Sequence, residues 1–207
     1  MVDEEIEFFF RMVLIGIYSI FTIVRIHYRR IAKNNGVIIE KDNATQKLLF
    51  IMMIYEVLSF IGYVFFYDLM HWVIAHIPLP LWLRGIGLPL GLGSILYFII
   101  VHEALGKNFS TTLKIKKTQT LVTHGPYKRI RHPMYLAFFF LHIAVFLIVA
   151  NWIIGISWNL FLITIIAIRV RPEEKMMLER FGKDYENYMK RTGRFFPRFK
   201  KQIEAIN

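Results

Sequence analysis

The chain has 207 residues, of which 56% are hydrophobic and 16% aromatic against 20% charged; soluble domains are about 45–50% apolar, so the charge here must be segregated from long apolar stretches. Lys and Arg outnumber Asp and Glu by 26 to 15, a net charge of +11. There is no cysteine, which excludes disulfides, zinc–thiolate sites, iron–sulfur clusters and cysteine nucleophiles.

The first apolar run covers residues 6–26, with Arg11 near one end. Its length matches a hydrocarbon core of about 30 Å. Asp3, Glu4 and Glu5 precede it, whereas a secretory signal starts basic, so it reads as a membrane span. The second run, 48–67, carries Glu56. The plainest role of an ionisable group at that depth is a helix–helix or headgroup contact. The third run, 79–101, contains Pro89, Gly87, Gly91 and Gly93. Residues 134–150 and 152–168 follow, separated by Asn151 alone, which predicts an antiparallel helical hairpin. The expectation is an all-α integral membrane bundle: one domain over 1–207 with five transmembrane helices.

All but three of the Lys and Arg residues fall in 27–47, 102–133 and 169–207; the three are Arg11, Arg25 and Arg84. Arg25 sits at a helix end beside the first of these segments. The positive-inside rule then predicts the amino terminus outside and the carboxyl terminus in the cytoplasm. Anionic membrane lipid on the cytoplasmic face accounts for the +11 without nucleic acid.

Polar, ring-bearing and Gly/Pro residues gather on the basic side in two segments. The first, 119–135, reads QTLVTHGPYKRIRHPMY. Gly125-Pro126 marks a turn, and Pro133 suits the first turn of the next helix. A helix amino terminus beside Arg131 and His132 predicts a carboxylate site, with a headgroup-binding loop as the alternative. The second segment, 169–197, reads RVRPEEKMMLERFGKDYENYMKRTGRFFP. Arg169 and Glu173 are four apart and share a face if the helix runs through Pro172, where a kink or break is expected. Met176, Met177, Leu178 and Phe181 predict a separate amphipathic stretch at the interface. The Glu173-Glu174 pair requires a cation, either a local arginine or a cationic ligand such as a sulfonium or ammonium.

LVTHGPYKRIRHPMY, followed after a helical hairpin by R-x-x-x-E-E-x(6)-F-G-x-x-Y and GRFFP, resembles the isoprenylcysteine carboxyl methyltransferase family. Phospholipid N-methyltransferases are more distantly similar. The resemblance covers about the last 90 residues, and the five-span count resembles the smaller prokaryotic members. It implies S-adenosylmethionine bound at the cytoplasmic face, in segments 102–133 and 169–207. Gln119, Thr120, Leu121 and Val122 would line the adenosine side. Tyr127 would be a cofactor contact. His132, Pro133, Met134 and Tyr135 would meet the methionine portion, and Glu173 its ammonium group. Arg169 would be the catalytic residue facing a lipophilic methyl acceptor. No metal is called for, and the sequence has no dinucleotide-type glycine loop after a strand. The implied location is a multi-pass membrane protein, in the plasma membrane for a prokaryotic source, with its active site toward the cytoplasm.

A carboxylate acceptor is ionised at neutral pH and needs no general base; an amine acceptor would need one, and His132 or Glu174 are candidates. Other readings stand beside this one. They are a phospholipid or small-amphiphile N-methyltransferase, an NADPH-dependent sterol-type reductase, and a non-enzymatic lipid-binding protein. The paired glutamates count against the reductase because they would repel phosphates.

Overall fold

Apolar residues on the first helix recur three and four apart, and Phe10, Leu14, Ile17 and Phe21 are all buried. This stripe is the spacing of one helix face, and it packs on Phe98, Leu141, Val145 and Trp158 from later helices. The computed structural model describes residues 2–34, 43–66, 76–109 and 120–198. Among them the chain forms six α-helices: α1 (Val2–Asn34), α2 (Asn43–Phe65), α3 (Leu81–Leu105), α4 (Pro133–Val149), α5 (Trp152–Phe181) and α6 (Lys183–Arg191). Short 3-10 turns lie at Gly106–Asn108 and Gly125–Lys128. The described residues form no β-strand, only two isolated bridges.

Four of these helices, α1, α2, α3 and α5, are long and apolar enough to cross a membrane. The fourth expected run is also a helix, α4, but it is shorter, at 17 residues. Pro133 opens it and a left-handed Ala150, φ 49°, closes it. Large apolar side chains such as Phe50, Leu58, Leu96 and Leu160 point outward. Helices that are apolar on the outer as well as the inner face belong in hydrocarbon.

The α4–α5 connection is as tight as the sequence predicts. Asn151 caps α5, its side-chain oxygen accepting from the Ile153 and Ile154 amides at 3.0 and 3.1 Å. α3 packs most extensively on α4. Gly87 and Gly91 permit this, because a Cβ at Gly87 would press on Ile148 and Ala144, and one at Gly91 on Ile17 of α1. At this end of the bundle Arg84 is buried. It pairs with Glu7, donates to the Ile148 carbonyl at 2.9 Å and lies over the Phe10 ring.

Two expectations are corrected. α1 is longer than the run 6–26. The fifth run does not stop at 168 or break at Pro172: α5 continues unbroken to Phe181, so the amphipathic stretch 173–181 is its last turns rather than a separate element. Proline removes one backbone hydrogen bond from a helix interior. Here the flanking turns hold, and they carry Arg169, Glu173 and Glu174 on one continuous rod.

Candidate functional site

The site is assembled at the end of the bundle opposite Arg84. The loop before α4 turns at Gly125, φ 57°, and His132 then precedes Pro133 at the first position of α4. The segment after α6 runs beside this loop. The Arg131 and His132 amides donate to the carbonyls of Gly193 and Arg194, at 2.9 and 3.0 Å, and the Gly193 amide returns to Arg129 at 3.1 Å. A Cβ at Gly193 would collide with the Phe196 carbonyl, which explains a glycine in the GRFFP motif.

Glu174 is the knot of this assembly. It is buried and accepts from Arg131 Nε at 3.0 Å, His132 Nε2 at 3.3 Å and Arg194 Nη2 at 2.5 Å. That bond to Glu174 raises the Arg194 guanidinium above its usual value. Arg131 also donates to the carbonyls of Met189 and Thr192. The carboxylate expected beside Arg131 and His132 is therefore the protein's own. Glu174, engaged by three donors, is not free to act as the general base an amine acceptor would require.

Glu173 differs from its neighbour. Its Oε1 accepts from the Tyr135 hydroxyl at 2.9 Å and pairs with Arg169 Nη2 at 3.3 Å. Its Oε2 has His132 Nδ1 at 3.6 Å and no hydrogen bond among the described residues. His132 thus stands between the two glutamates. Arg169 is mostly buried, and its Nε has no hydrogen-bond partner among the described residues. Arg169 and Glu173 form one cluster rather than two separate stations.

These groups open on a single cavity of about 560 Å³, within the range of small-molecule sites, about 300–1,000 Å³. Of the sequence-predicted residues, Thr120, Leu121, Val122 and Tyr127 line it from the loop, Met134 and Tyr135 from α4, and Arg169 and Glu173 from α5, with His132 between. Pro133 is buried but does not reach the cavity wall; its place is at the start of α4. Gln119 lies outside the described residues. Thr120 is anchored by Asn108, whose side-chain oxygen accepts from the Thr120 amide at 2.9 Å.

Residues 86–179 match the model of the "Isoprenylcysteine carboxyl methyltransferase (ICMT) family". This segment, just under half of the chain, is similar to that family. Among curated relatives, the protein-S-isoprenylcysteine O-methyltransferase of Tribolium castaneum is 33% identical over 119 residues, which are 56% of this chain and 42% of the relative. Protein-S-isoprenylcysteine O-methyltransferase B of Arabidopsis thaliana is 28% identical over 145 residues, 68% of each chain. The chain thus spans less than half the length of the Tribolium relative. The solved structure of a eukaryotic intramembrane Ras methyltransferase ICMT shares the fold, with a TM-score of 0.57 at 24% identity, covering 76% of this chain and 54% of that one.

The family segment contains every predicted site residue from Thr120 to Glu173, but the cavity extends beyond it. Tyr185 and Tyr188 of α6 also line the wall. The Tyr188 hydroxyl donates to the Tyr127 carbonyl at 2.7 Å, and burial pushes this phenol up to about 12, so it stays a donor. Their spacing of three in DYENY places them on one helix face, the signal by which they were identifiable. Arg131, also on the wall, was singled out in the sequence as a carboxylate partner, and the carboxylate it holds is Glu174.

Proposed function

We propose that the chain is a membrane methyltransferase that moves the methyl group of S-adenosylmethionine to the carboxylate of a lipophilic, isoprenylcysteine-type acceptor. The observation that carries this reading is the continuity of the cavity. One space is lined at one end by Tyr135, Arg169 and Glu173, and deeper by Phe98, Leu141 and Trp158 between the apolar helices. A water-soluble cofactor and a hydrocarbon tail can each have their own end.

The residues present fit the cofactor. Glu173 Oε2 has no donor within hydrogen-bond reach among the described residues and is suited to an ammonium group. Leu121, Val122 and Met134 offer apolar surface, and Tyr127 a ring. When bound, the sulfonium supplies an activated methyl group whose transfer to oxygen leaves a neutral thioether. Tyr135 and Arg169 hold Glu173 through one of its oxygens and leave the other directed at the ligand. Arg169 keeps an unpaired Nε donor for the acceptor carboxylate, which a planar guanidinium can meet with two parallel bonds. An ionised carboxylate gives up no proton, so His132 and Glu174 can remain tied to their partners. Positioning and exclusion of water then supply the acceleration, about 7–11 kcal/mol in favourable cases. The same fixed partners count against an amine acceptor. Glu174, which neutralises Arg131 and Arg194, counts against a phosphate-bearing nicotinamide cofactor.

In this reading α4 is also a span despite its length, the fourth of five in chain order, paired with α5 as a hairpin. The amino terminus lies outside, and the site faces the cytoplasm with the basic segments. The test is Arg169→Lys in purified protein, with S-adenosylhomocysteine affinity and methyl transfer to a prenylcysteine measured on the same sample. Affinity within about threefold of wild type with transfer lowered at least about tenfold is expected, since Lys cannot reproduce the bidentate contact. Unchanged transfer would refute the acceptor role.

A further inference from the structure

The membrane-depth part of the cavity is not purely apolar. Glu56 of α2 and Arg25 of α1 both line it, with Tyr18 of α1 and His142 of α4. The Glu56 carboxylate makes no hydrogen bond to the described residues; His142 Nε2 lies 4.0 Å from it. Arg25 makes no hydrogen bond to the described residues, but it faces the same space and its charge acts on Glu56. The surroundings are hydrocarbon and ring: Phe21, Phe98, Phe138, Leu141 and Trp158. Polar groups at such depth are expensive and rarely left without a partner.

The position is set by α4. His142 follows Tyr135 by seven residues, two turns on the same face, which is about 10 Å along the helix axis. Tyr135 touches Glu173. His142, and Glu56 4.0 Å from it, therefore lie about 10 Å deeper than the site of methyl transfer, along the path an acceptor tail would take, and the Arg25 charge acts on Glu56 from α1. A tail of hydrocarbon alone would strip water from Glu56 and Arg25 and offer neither a partner. The pair carries one negative and one positive charge, so an added ammonium or carboxylate would meet a like charge as well as an opposite one. A neutral hydroxyl meets both: it donates to Glu56 and accepts from Arg25.

We propose that Glu56, Arg25 and His142 form a second recognition point for a hydroxyl group carried on the acceptor's tail, about 10 Å from the methylated carboxylate. The acceptor of this chain is then a hydroxylated lipophilic acid rather than an unsubstituted isoprenyl thioether. The proposal rests on the methyl-transfer reading for the placement of the acceptor's head.

Two S-alkylcysteine carboxylates of equal chain length test it, one with a hydroxyl about 10 Å from the carboxylate and one without. Their affinities for the full chain in detergent are measured by calorimetry, and methyl transfer to each is followed separately. A hydrogen bond to a charged group predicts that the hydroxylated acceptor binds about ten- to a hundredfold more tightly. Glu56→Leu should bring that ratio close to one, and Glu56→Gln should lower it in part. A wild-type ratio near one overturns the proposal, as does an unchanged ratio in Glu56→Leu. If Glu56→Leu fails to bind S-adenosylhomocysteine and so is misfolded, an unchanged ratio in Glu56→Gln overturns it instead. Methyl transfer with a binding ratio near one removes the hydroxyl site and leaves the methyltransferase. A preserved ratio without any transfer does the reverse. Binding of neither acceptor removes both.

Discussion

Glu174→Gln should be among the most destabilising conservative changes at the site end, and Arg194→Ala, which removes one of its partners, should cost little. The difference follows from exposure. Glu174 and Arg131 are each 9% exposed at the side chain, whereas Arg194 is 46% exposed. Gln keeps the volume of Glu174 but removes the charge that Arg131 and His132 face. Breaking a buried pair by changing one partner costs about 3–5 kcal/mol, because the other charge is left behind. An exposed pair is worth about 0–1 kcal/mol. For a chain of this size about 1 kcal/mol moves Tm by about 2–4 °C. Glu174→Gln should therefore lower Tm by about 6–20 °C and Arg194→Ala by no more than about 4 °C. Thermal unfolding of the purified protein in a single detergent measures both. The double substitution Arg131→Met with Glu174→Met should recover part of the loss, since an apolar pair leaves no buried charge. Equal shifts for Glu174→Gln and Arg194→Ala, or no recovery in the double variant, would refute the view that Glu174 is held chiefly by buried partners.

Two further outcomes are expected. Asn151→Ala removes the acceptor for two α5 amides and should cost about 0.5–2 kcal/mol, with Asp restoring most of it, read by the same unfolding assay. Tyr188→Phe orphans the Tyr127 carbonyl and should cost about 1–3 kcal/mol. The Tyr188 phenol is pushed up to about 12 by burial, above its unfolded value of about 10. Its contribution is thus complete below pH about 10 and lost as pH rises through about 12. The Phe variant should flatten the alkaline fall in stability across that window; an unchanged fall would assign it to other groups.

Much of the helical plan was legible because the hydrocarbon core imposes a length and a composition on each run. The α4–α5 hairpin was legible to within a residue, since Asn151 is the only polar break between two apolar runs. The extents of α1 and α5 were not. Both helices continue past the apolar stretch into polar sequence, where hydropathy has no signal. Pro172 misled for a related reason, because a proline's local cost says nothing about tertiary support from neighbouring turns. At the site, the residue types in the two motifs were legible, but the division of labour between Glu173 and Glu174 was not. Adjacent residues on a helix point about 100° apart. One glutamate therefore turns into the Arg131–Arg194 network and the other onto the cavity, a choice set by elements far away in the chain. The spacing of Tyr185 and Tyr188 marked a shared helix face, but what that face meets appears only when α6 folds back across the loop.

The unbroken course of α5 has a consequence for how the proposed reaction is organised. Arg169 and Glu173 are one turn apart on one helix, so their Cα atoms differ by about 6 Å along its axis. If Glu173 meets the cofactor's ammonium and Arg169 the acceptor's carboxylate, the two reactants are registered by helix rise rather than by loop closure. A break at Pro172 would have left that spacing to a hinge. The same helix also carries Trp158 at the deep end of the cavity, eleven residues or about 16 Å from Arg169. In that reading cofactor end, acceptor head and tail channel share a single rigid ruler, and the other helices supply the walls. A reaction that depends on in-line approach and removal of water gains most from such a frame, because misplacement by about 1 Å can cost about a hundredfold in rate.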